Sequence, residues 1–281
     1  MPKPFVLLSI LLLFIGCEKQ PAASMSKPLR PRSTLKSPPP TPQKTAKTIH
    51  VFVALCDNEN QGIVPVPPLL GNGNDPRNNL YWGAMYGTKT FLKKSKQWIF
   101  IQEIKQPKKP ILQRIIFRHA TQKVYLVADA YQGAHIKQTL IDFLRSAAGY
   151  NPSSLSLNGA LLGLNGKADL VVYVGHNGLM DVRIAPIPPI KNRRGNDAMV
   201  LACKSKPYFQ PRLSRFHSRS VLLTTGFMAP EAYTLSAAVS AWAANKDASV
   251  IREAAAQAYH SYQKCGIKGA RRLFYAEEKA P

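Results

Sequence analysis

Two side chains that can do covalent chemistry each follow a short apolar run of the sequence. His176 stands in a Gly-His-Asn-Gly segment after one run, and Cys203 ends an Ala-Cys pair after a later run. A thiol attacks as its thiolate, and a nearby imidazole can take the thiol proton. The main-chain amides of Asn177 and Gly178 are candidate donors to the oxyanion of an acyl transfer. If the two runs are neighbouring parallel strands, all of these groups meet at one edge of a sheet.

Each residue of this pair also has an ordinary structural interpretation. A buried cysteine at a strand end usually fills core space, and a lone histidine after a strand is usually a loop residue with satisfied hydrogen bonds. The chemical interpretation therefore depends on finding both residues together, each at a strand end and in this order.

Three further residues at predicted strand ends are weaker candidates. Asp57 and Asp129 are candidates for a substrate pocket that accepts a basic side chain, although aspartate after a strand is also common as a helix cap or turn residue. Cys56 ends the first predicted strand and could face the site, but core packing is its more common role.

The elements that would position these residues follow from periodicity. Short apolar runs predict buried strands, and the short gap between the third and fourth runs favours a hairpin. Strands alternating with helices predict an α/β fold, a three-layer α/β/α sandwich with a mainly parallel sheet. In such sheets functional groups gather at the carboxyl ends of the strands. The predicted strands are residues 49–56, 98–101, 111–118, 123–128, 169–174, 198–202 and 220–224, and the predicted helices are 77–94, 134–148, 230–244 and 249–264.

The N-terminus has the pattern of an export signal. Lys3 precedes an apolar run of eleven residues, 5–15, which is shorter than the roughly 20 residues of a membrane-spanning helix. The run ends in Phe-Ile-Gly-Cys17, which resembles the lipobox of bacterial lipoproteins. The resemblance implies a signal peptide over residues 1–16, a lipid on Cys17, and anchoring to a membrane of the bacterial cell envelope outside the cytoplasm. A signal peptide cleaved elsewhere and an uncleaved anchor are the alternatives.

A proline-rich basic segment follows, and we expect residues 17–48 to form an extended tether. Residues 49–281 are ample for one domain with a single core. The net charge is +23, with 38 Lys and Arg against 15 Asp and Glu. No nucleic-acid-binding module is recognisable, so anionic lipid or a cell-wall polymer is the simpler partner. Solvated surface charge with no partner explains the excess equally well.

The chain has four cysteines, and a lipid on one of them leaves Cys56, Cys203 and Cys265. An odd number in an oxidising compartment leaves at least one thiol unpaired. The histidines lack metal-ligand spacing, and no phosphate-binding or dinucleotide motif is present, so no metal or cofactor is predicted.

The segments around His176 and Cys203 resemble those of the caspase-fold cysteine peptidases, which include caspases, metacaspases, legumain and gingipains. Tyr-Val-Gly-His176-Asn-Gly and Val-Leu-Ala-Cys203 match the two strand ends that carry the family's dyad, and residues 79–84 are similar to the start of its first helix. The resemblance implies Cys203 as nucleophile, His176 as general base and acid, the amide beside His176 in the oxyanion hole, and a peptide or protein substrate.

Two features depart from this family pattern. Asn177 stands where the family usually has glycine, and the longer signature around the cysteine is reduced to Ala-Cys203. A non-catalytic binding lipoprotein of the cell envelope, with this or another α/β fold, is therefore the alternative function.

Overall fold

The computed structural model describes residues 46–278, which fold around one large sheet and a small hairpin. No helix in this part of the chain has the length and apolar character needed to cross a membrane. The strands are β1 (Lys47–Ala54), β2 (Trp98–Lys108), β3 (Ile111–His119), β4 (Val124–Tyr131), β5 (Ser153–Leu157), β6 (Ala160–Leu164), β7 (Leu170–Val174), β8 (Asp197–Leu201), β9 (Ser220–Thr224) and β10 (Phe274–Tyr275). The α-helices are α1 (Thr88–Lys94), α2 (Ile136–Ala147), α3 (Ser205–Arg215), α4 (Ala232–Ala243), α5 (Ala248–Gln263) and α6 (Ile267–Leu273).

The large sheet has eight strands in the order β10-β9-β8-β7-β1-β4-β3-β2. The five central strands, from β9 to β4, run parallel to one another. The edge strands are antiparallel, with β10 on one side and the β2–β3–β4 meander on the other. The prediction of an α/β fold with a mainly parallel sheet is confirmed, and so is the β3–β4 hairpin.

Helices cover both faces of the sheet because the central strands are apolar on both sides. On β1, Val51 and Val53 pack in the same cluster as residues of α1, α4 and α5. Phe52 and Ala54 point the other way and pack with α2 and α3. Continuous apolar strands of this kind are typical of a parallel sheet buried between helical layers. The β5–β6 hairpin covers a further part of the sheet through Leu157 and Leu162.

The predicted helix over residues 77–94 is wrong in its first half. Only α1 is helical there, and residues 77–87 form successive turns. Gly83 explains the difference, because a Cβ atom at this position would lie 1.9 Å from the carbonyl oxygen of Arg77. A Cβ atom at Gly87 would lie 2.5 Å from the backbone of Trp82. Main-chain contacts this tight fold the segment back on itself and prevent a continuous helix.

Candidate active site

The strands that precede His176 and Cys203 are neighbours and run parallel. β7 pairs with β8 so that Val174 lies opposite Leu201. His176 and Cys203 each lie two residues beyond this pair, and they therefore emerge at the same level on the carboxyl edge of the sheet. The adjacency follows from the sequence order, since consecutive strands of a parallel sheet are commonly neighbours.

The His176 ring is held by a carboxylate that the sequence did not single out. Nε2 of His176 lies 2.5 Å from Oδ2 of Asp181, and the His176 side chain is only 9% exposed. Asp181 is fixed in turn by the Gly62 N–H, which donates to the same oxygen at 3.2 Å. The Tyr173 hydroxyl donates to the His176 carbonyl at 2.7 Å. With Nε2 donating to Asp181, Nδ1 is the ring nitrogen that can accept a proton.

Cys203 occupies the junction between a strand and a helix. The next residue, Lys204, adopts a left-handed conformation with φ of 46°, and α3 begins directly after it. The Cys203 sulfur lies 3.4 Å from both the main-chain nitrogen and the carbonyl oxygen of Met228, where it accepts and donates a hydrogen bond respectively.

The main-chain amides near the dyad fall into two groups. The Gly178 N–H donates to the His176 carbonyl at 2.9 Å, which closes a turn and occupies the donor. The N–H groups of Asn177 and Cys203 make none of the hydrogen bonds found within residues 46–278. Of the two amides predicted to stabilise an oxyanion, that of Gly178 is therefore occupied, and that of Asn177 belongs to a residue with no exposed surface. The Cys203 amide, in a partly exposed residue, is a donor that the sequence did not indicate.

The Asn177 side chain connects the two loops of the site. It is fully buried, and its Nδ2 donates to the Cys203 carbonyl at 2.8 Å. Its Oδ1 is buried with no hydrogen-bond donor in the described part of the chain. The Asn177 side chain thus fixes the His176 loop to the Cys203 loop.

Cys56 lies beside the site but is built into the core. It is fully buried, its N–H bonds to Asn79 Oδ1 at 3.0 Å, and burial raises the pKa of its thiol to about 11 despite a hydrogen bond from Tyr81. A thiol with that pKa is almost entirely protonated at neutral pH and is a poor nucleophile. Burial also raises the pKa of Tyr81, whose hydroxyl lies near both Cys56 and Cys203.

The Asp57 carboxylate stabilises a turn and also faces a cavity. Oδ1 accepts the N–H groups of Glu59 at 3.0 Å and Asn60 at 3.1 Å, and the residue is 4% exposed. The polar cavity at this position has a volume of about 330 Å³ and is lined by Asp57, Asn58, Glu59, Asn60, Pro68, Gly71, Asn72, Gly73 and Asn74.

The Asp129 carboxylate lies inside the fold, in a buried charged network. Arg114 donates to its two oxygens at 2.6 and 2.7 Å, and His50 Nε2 lies 3.0 Å from Oδ2. The Asn165 N–H donates to Nδ1 of His50 at 3.1 Å, which places the His50 proton on Nε2. Burial alone would raise the pKa of Asp129, but the bonds from Arg114 and His50 outweigh it and lower the pKa to about 2.

No group of three or more potential metal ligands occurs among the described residues, and Cys56, Cys203 and Cys265 are free thiols. The predicted lipidation site, Cys17, lies outside the described residues.

Comparisons with protein-family models, with curated proteins and with solved structures find no match to this chain. The geometry of the site is therefore the basis on which a function is proposed.

Proposed function

We propose that this chain is an exported cysteine peptidase of caspase-like architecture, with Cys203 as nucleophile and His176 as general base and acid. The observation that carries the proposal is the His176 ring held by Asp181 at the strand edge from which Cys203 emerges. The strand order supports the proposal as well. In caspase-fold peptidases the first strand lies beside the strand that precedes the histidine, and here β1 lies beside β7, which in turn lies beside β8.

The residues can perform each step of peptide hydrolysis. Nδ1 of His176 takes the Cys203 thiol proton while Asp181 stabilises the imidazolium. The thiolate adds to the substrate carbonyl carbon, and the Cys203 amide donates to the oxyanion. Collapse of this intermediate breaks the C–N bond, and His176 returns the proton to the leaving amine. Water, deprotonated by His176, then hydrolyses the thioester and releases the acid and the free thiol.

The surface of the site favours an extended polypeptide over a small molecule. Two surface cavities, of about 690 and 920 Å³, are lined by neither Cys203 nor His176. Small-molecule sites are usually deep concave pockets, whereas an extended peptide can bind across an open surface. Both aspartates predicted for a substrate pocket have their two carboxylate oxygens hydrogen-bonded within the fold. We retain Asp57 because it borders a cavity, whereas Asp129 has no exposed surface.

The N-terminal pattern supports an anchored form of the enzyme. A lipid on Cys17 would hold the domain at a membrane of the cell envelope through the segment that precedes β1, and the charge of +23 suits anionic lipid or wall polymer nearby. Metabolic labelling with a radioactive fatty acid tests the anchor. Label should enter the wild type and be absent from Cys17→Ser, and label retained in that variant would refute lipidation at this residue.

A non-catalytic binding protein is the second candidate, and one contact favours it. The Cys203 sulfur is partly buried and bonded to the Met228 main chain on both its donor and acceptor sides. A nucleophile must leave these bonds before it can attack a substrate. If Cys203 stays in this position, the same surface serves binding alone.

A peptidyl acyloxymethyl ketone, which alkylates an activated thiol, separates the two functions. We expect labelling at Cys203, located by mass spectrometry of the digested protein, and loss of labelling in Cys203→Ala and His176→Ala. Cys265→Ala is the matched control, because Cys265 is an exposed free thiol that follows no strand, and it should label like the wild type. Undiminished labelling of Cys203→Ala would remove this residue as the nucleophile.

A further inference from the structure

A second surface of the domain has the features of a ligand site. A cavity of about 690 Å³ lies between α1, α4 and α5, within the range of natural binding pockets. Met85, Tyr86 and Tyr262 line it and are 64%, 36% and 44% exposed. Large apolar side chains gathered in one concavity are typical of an interaction surface, whereas isolated ones are ordinary.

The aromatic rings of this cavity are arranged before any ligand binds. The Tyr233 and Tyr262 rings stack nearly parallel with centroids 4.4 Å apart. Tyr86 and Phe91 meet Tyr262 edge to face at 5.3 and 5.9 Å. The Tyr233 hydroxyl donates to Glu231 at 2.8 Å and accepts from Gln263 at 2.7 Å. Rings fixed in this way lose little entropy on binding, which favours affinity.

The rim of the cavity is positively charged. Lys94 and Lys96 line it, both are exposed, and neither forms a salt bridge within the described residues. The cavity lining contains no carboxylate, and the nearby Glu231 is turned to Tyr233. An apolar cavity with a cationic rim is complementary to an aromatic or branched apolar group that stands beside acidic groups.

The cavity is connected to the Cys203 loop through a short segment of main chain. Met228 contacts the Cys203 sulfur, and the next residue, Ala229, donates its N–H to the Tyr259 hydroxyl at 3.2 Å. The Ala232 N–H then donates to the Tyr86 carbonyl at 2.8 Å. The segment that holds the Cys203 sulfur is therefore attached to the main chain of the cavity at Tyr86.

We propose that this aromatic cavity binds a polypeptide segment that carries one large apolar side chain next to acidic residues. Its concave shape favours a peptide over a membrane, since only a projecting side chain can fill a cavity between three helices. A role in recruiting substrates rests on the peptidase function proposed above, whereas the binding itself does not.

The test measures peptide binding in the full chain carrying Cys203→Ala, so that the probe is not cleaved. The probe is a fluorescein-labelled hexapeptide with one phenylalanine followed by two aspartates, and its anisotropy reports binding. Two comparison peptides replace the aspartates by lysines or the phenylalanine by alanine. We expect both replacements to weaken binding at least about tenfold.

Protein variants locate the site. Tyr262→Ala should weaken the aspartate probe about tenfold, and the double change Lys94→Glu with Lys96→Glu about fivefold, with a loss of salt dependence. Lys137→Glu, an exposed charge reversal on α2 across the sheet, is the matched control and should bind normally. Far-ultraviolet circular dichroism confirms that each variant is folded, and the charge reversals test the site even if Tyr262→Ala unfolds.

Three outcomes would overturn the proposal. The first is equal binding of the lysine and aspartate probes, and the second is unchanged binding in both the Tyr262 and the lysine variants. The third is binding of phosphatidylglycerol vesicles that these variants abolish while the peptide does not bind, which would assign the surface to lipid. The binding measurements use a chain without the Cys203 thiol, so they can be interpreted even if Cys203 does not react with the ketone. The peptidase proposal and the binding proposal can therefore fail independently.

Discussion

The buried pair of Arg114 and Asp129 gives the sharpest test of the physical reasoning. Asp129 has no exposed surface and the Arg114 side chain is 13% exposed, so water cannot replace either partner. In Arg114→Met the apolar stem stays and the guanidinium is lost. The Asp129 carboxylate then keeps only its bond from His50, at 3.0 Å, inside the sheet.

The expected loss of stability is large. Breaking a buried ion pair by removing one partner costs about 3–5 kcal/mol, because it leaves an uncompensated charge. The pKa of Asp129 supports this scale, since lowering it from 3.8 to about 2 corresponds to about 2 kcal/mol of stability at neutral pH. Asp129→Leu added to Arg114→Met removes the stranded charge. The double variant should then recover at least about 2 kcal/mol relative to the single one.

Urea unfolding at pH 7, followed by tryptophan fluorescence, measures these free energies. Arg118→Met is the matched control on the same strand, because Arg118 is exposed, and it should change stability by less than about 0.5 kcal/mol. Two results would show that the buried pair does not stabilise the fold. One is a loss of less than about 1 kcal/mol of unfolding free energy in Arg114→Met, and the other is a loss in the double variant that equals the sum of the losses in Arg114→Met and Asp129→Leu.

Three further predictions follow from other parts of the molecule. Burial lowers the pKa of His50, so below about pH 6.5 the unfolded chain takes up a proton that the folded chain does not. The free energy of unfolding should therefore decrease as the pH is lowered below about 6.5, and a His50→Gln variant whose unfolding free energy depends on pH as steeply as that of the wild type in urea titrations would refute this. Gly83→Ala should lower stability by more than about 3 kcal/mol through its clash with a main-chain oxygen, while Gly269→Ala, with open space at the new Cβ inside α6, should raise it by about 0.5–1 kcal/mol; thermal melts showing equal effects would contradict the packing argument. Asp181→Asn should slow alkylation of the wild-type cysteine by the ketone probe about tenfold or more with unchanged unfolding, and an unchanged rate would show that the carboxylate does not orient His176.

The sheet could be predicted from the sequence because its central strands are continuous apolar runs. The predicted strands 169–174 and 198–202 correspond to β7 and β8, and His176 and Cys203 each lie two residues beyond the observed strand ends. The predicted strand at residues 98–101 is the start of β2, which continues to Lys108 along the exposed edge of the sheet. The half of β2 that the sequence missed lacks a core-facing pattern, since most of its side chains are exposed or half-buried.

Other parts depend on tertiary contacts that leave no local pattern. α3 contains Pro207 and Pro211 and few apolar residues, so its sequence does not indicate a helix, yet Phe209 and Leu213 pack it against the sheet. Asp181 could not be identified, because its distance from the imidazole is set by how the loop after β7 folds.

The position of Asp129 shows how one boundary changes an interpretation. The apolar run predicted a strand ending at residue 128, which made Asp129 a loop residue beyond the strand. β4 continues to Tyr131, and the carboxylate is therefore inside the sheet beside β1 and β3. Pairing with those two strands, which the sequence of β4 alone cannot reveal, extends β4 and turns a candidate pocket residue into part of the core.

The Asn177 side chain fixes the geometry of the candidate site during folding. Since a buried amide joins the His176 loop to the Cys203 carbonyl, the spacing of the two loops is established as the chain folds. In the proposed peptidase an arriving substrate then has no loops to assemble, and its contact energy remains available to discriminate at the transition state. Asn177→Gly would transfer that assembly from folding to the moment of substrate binding.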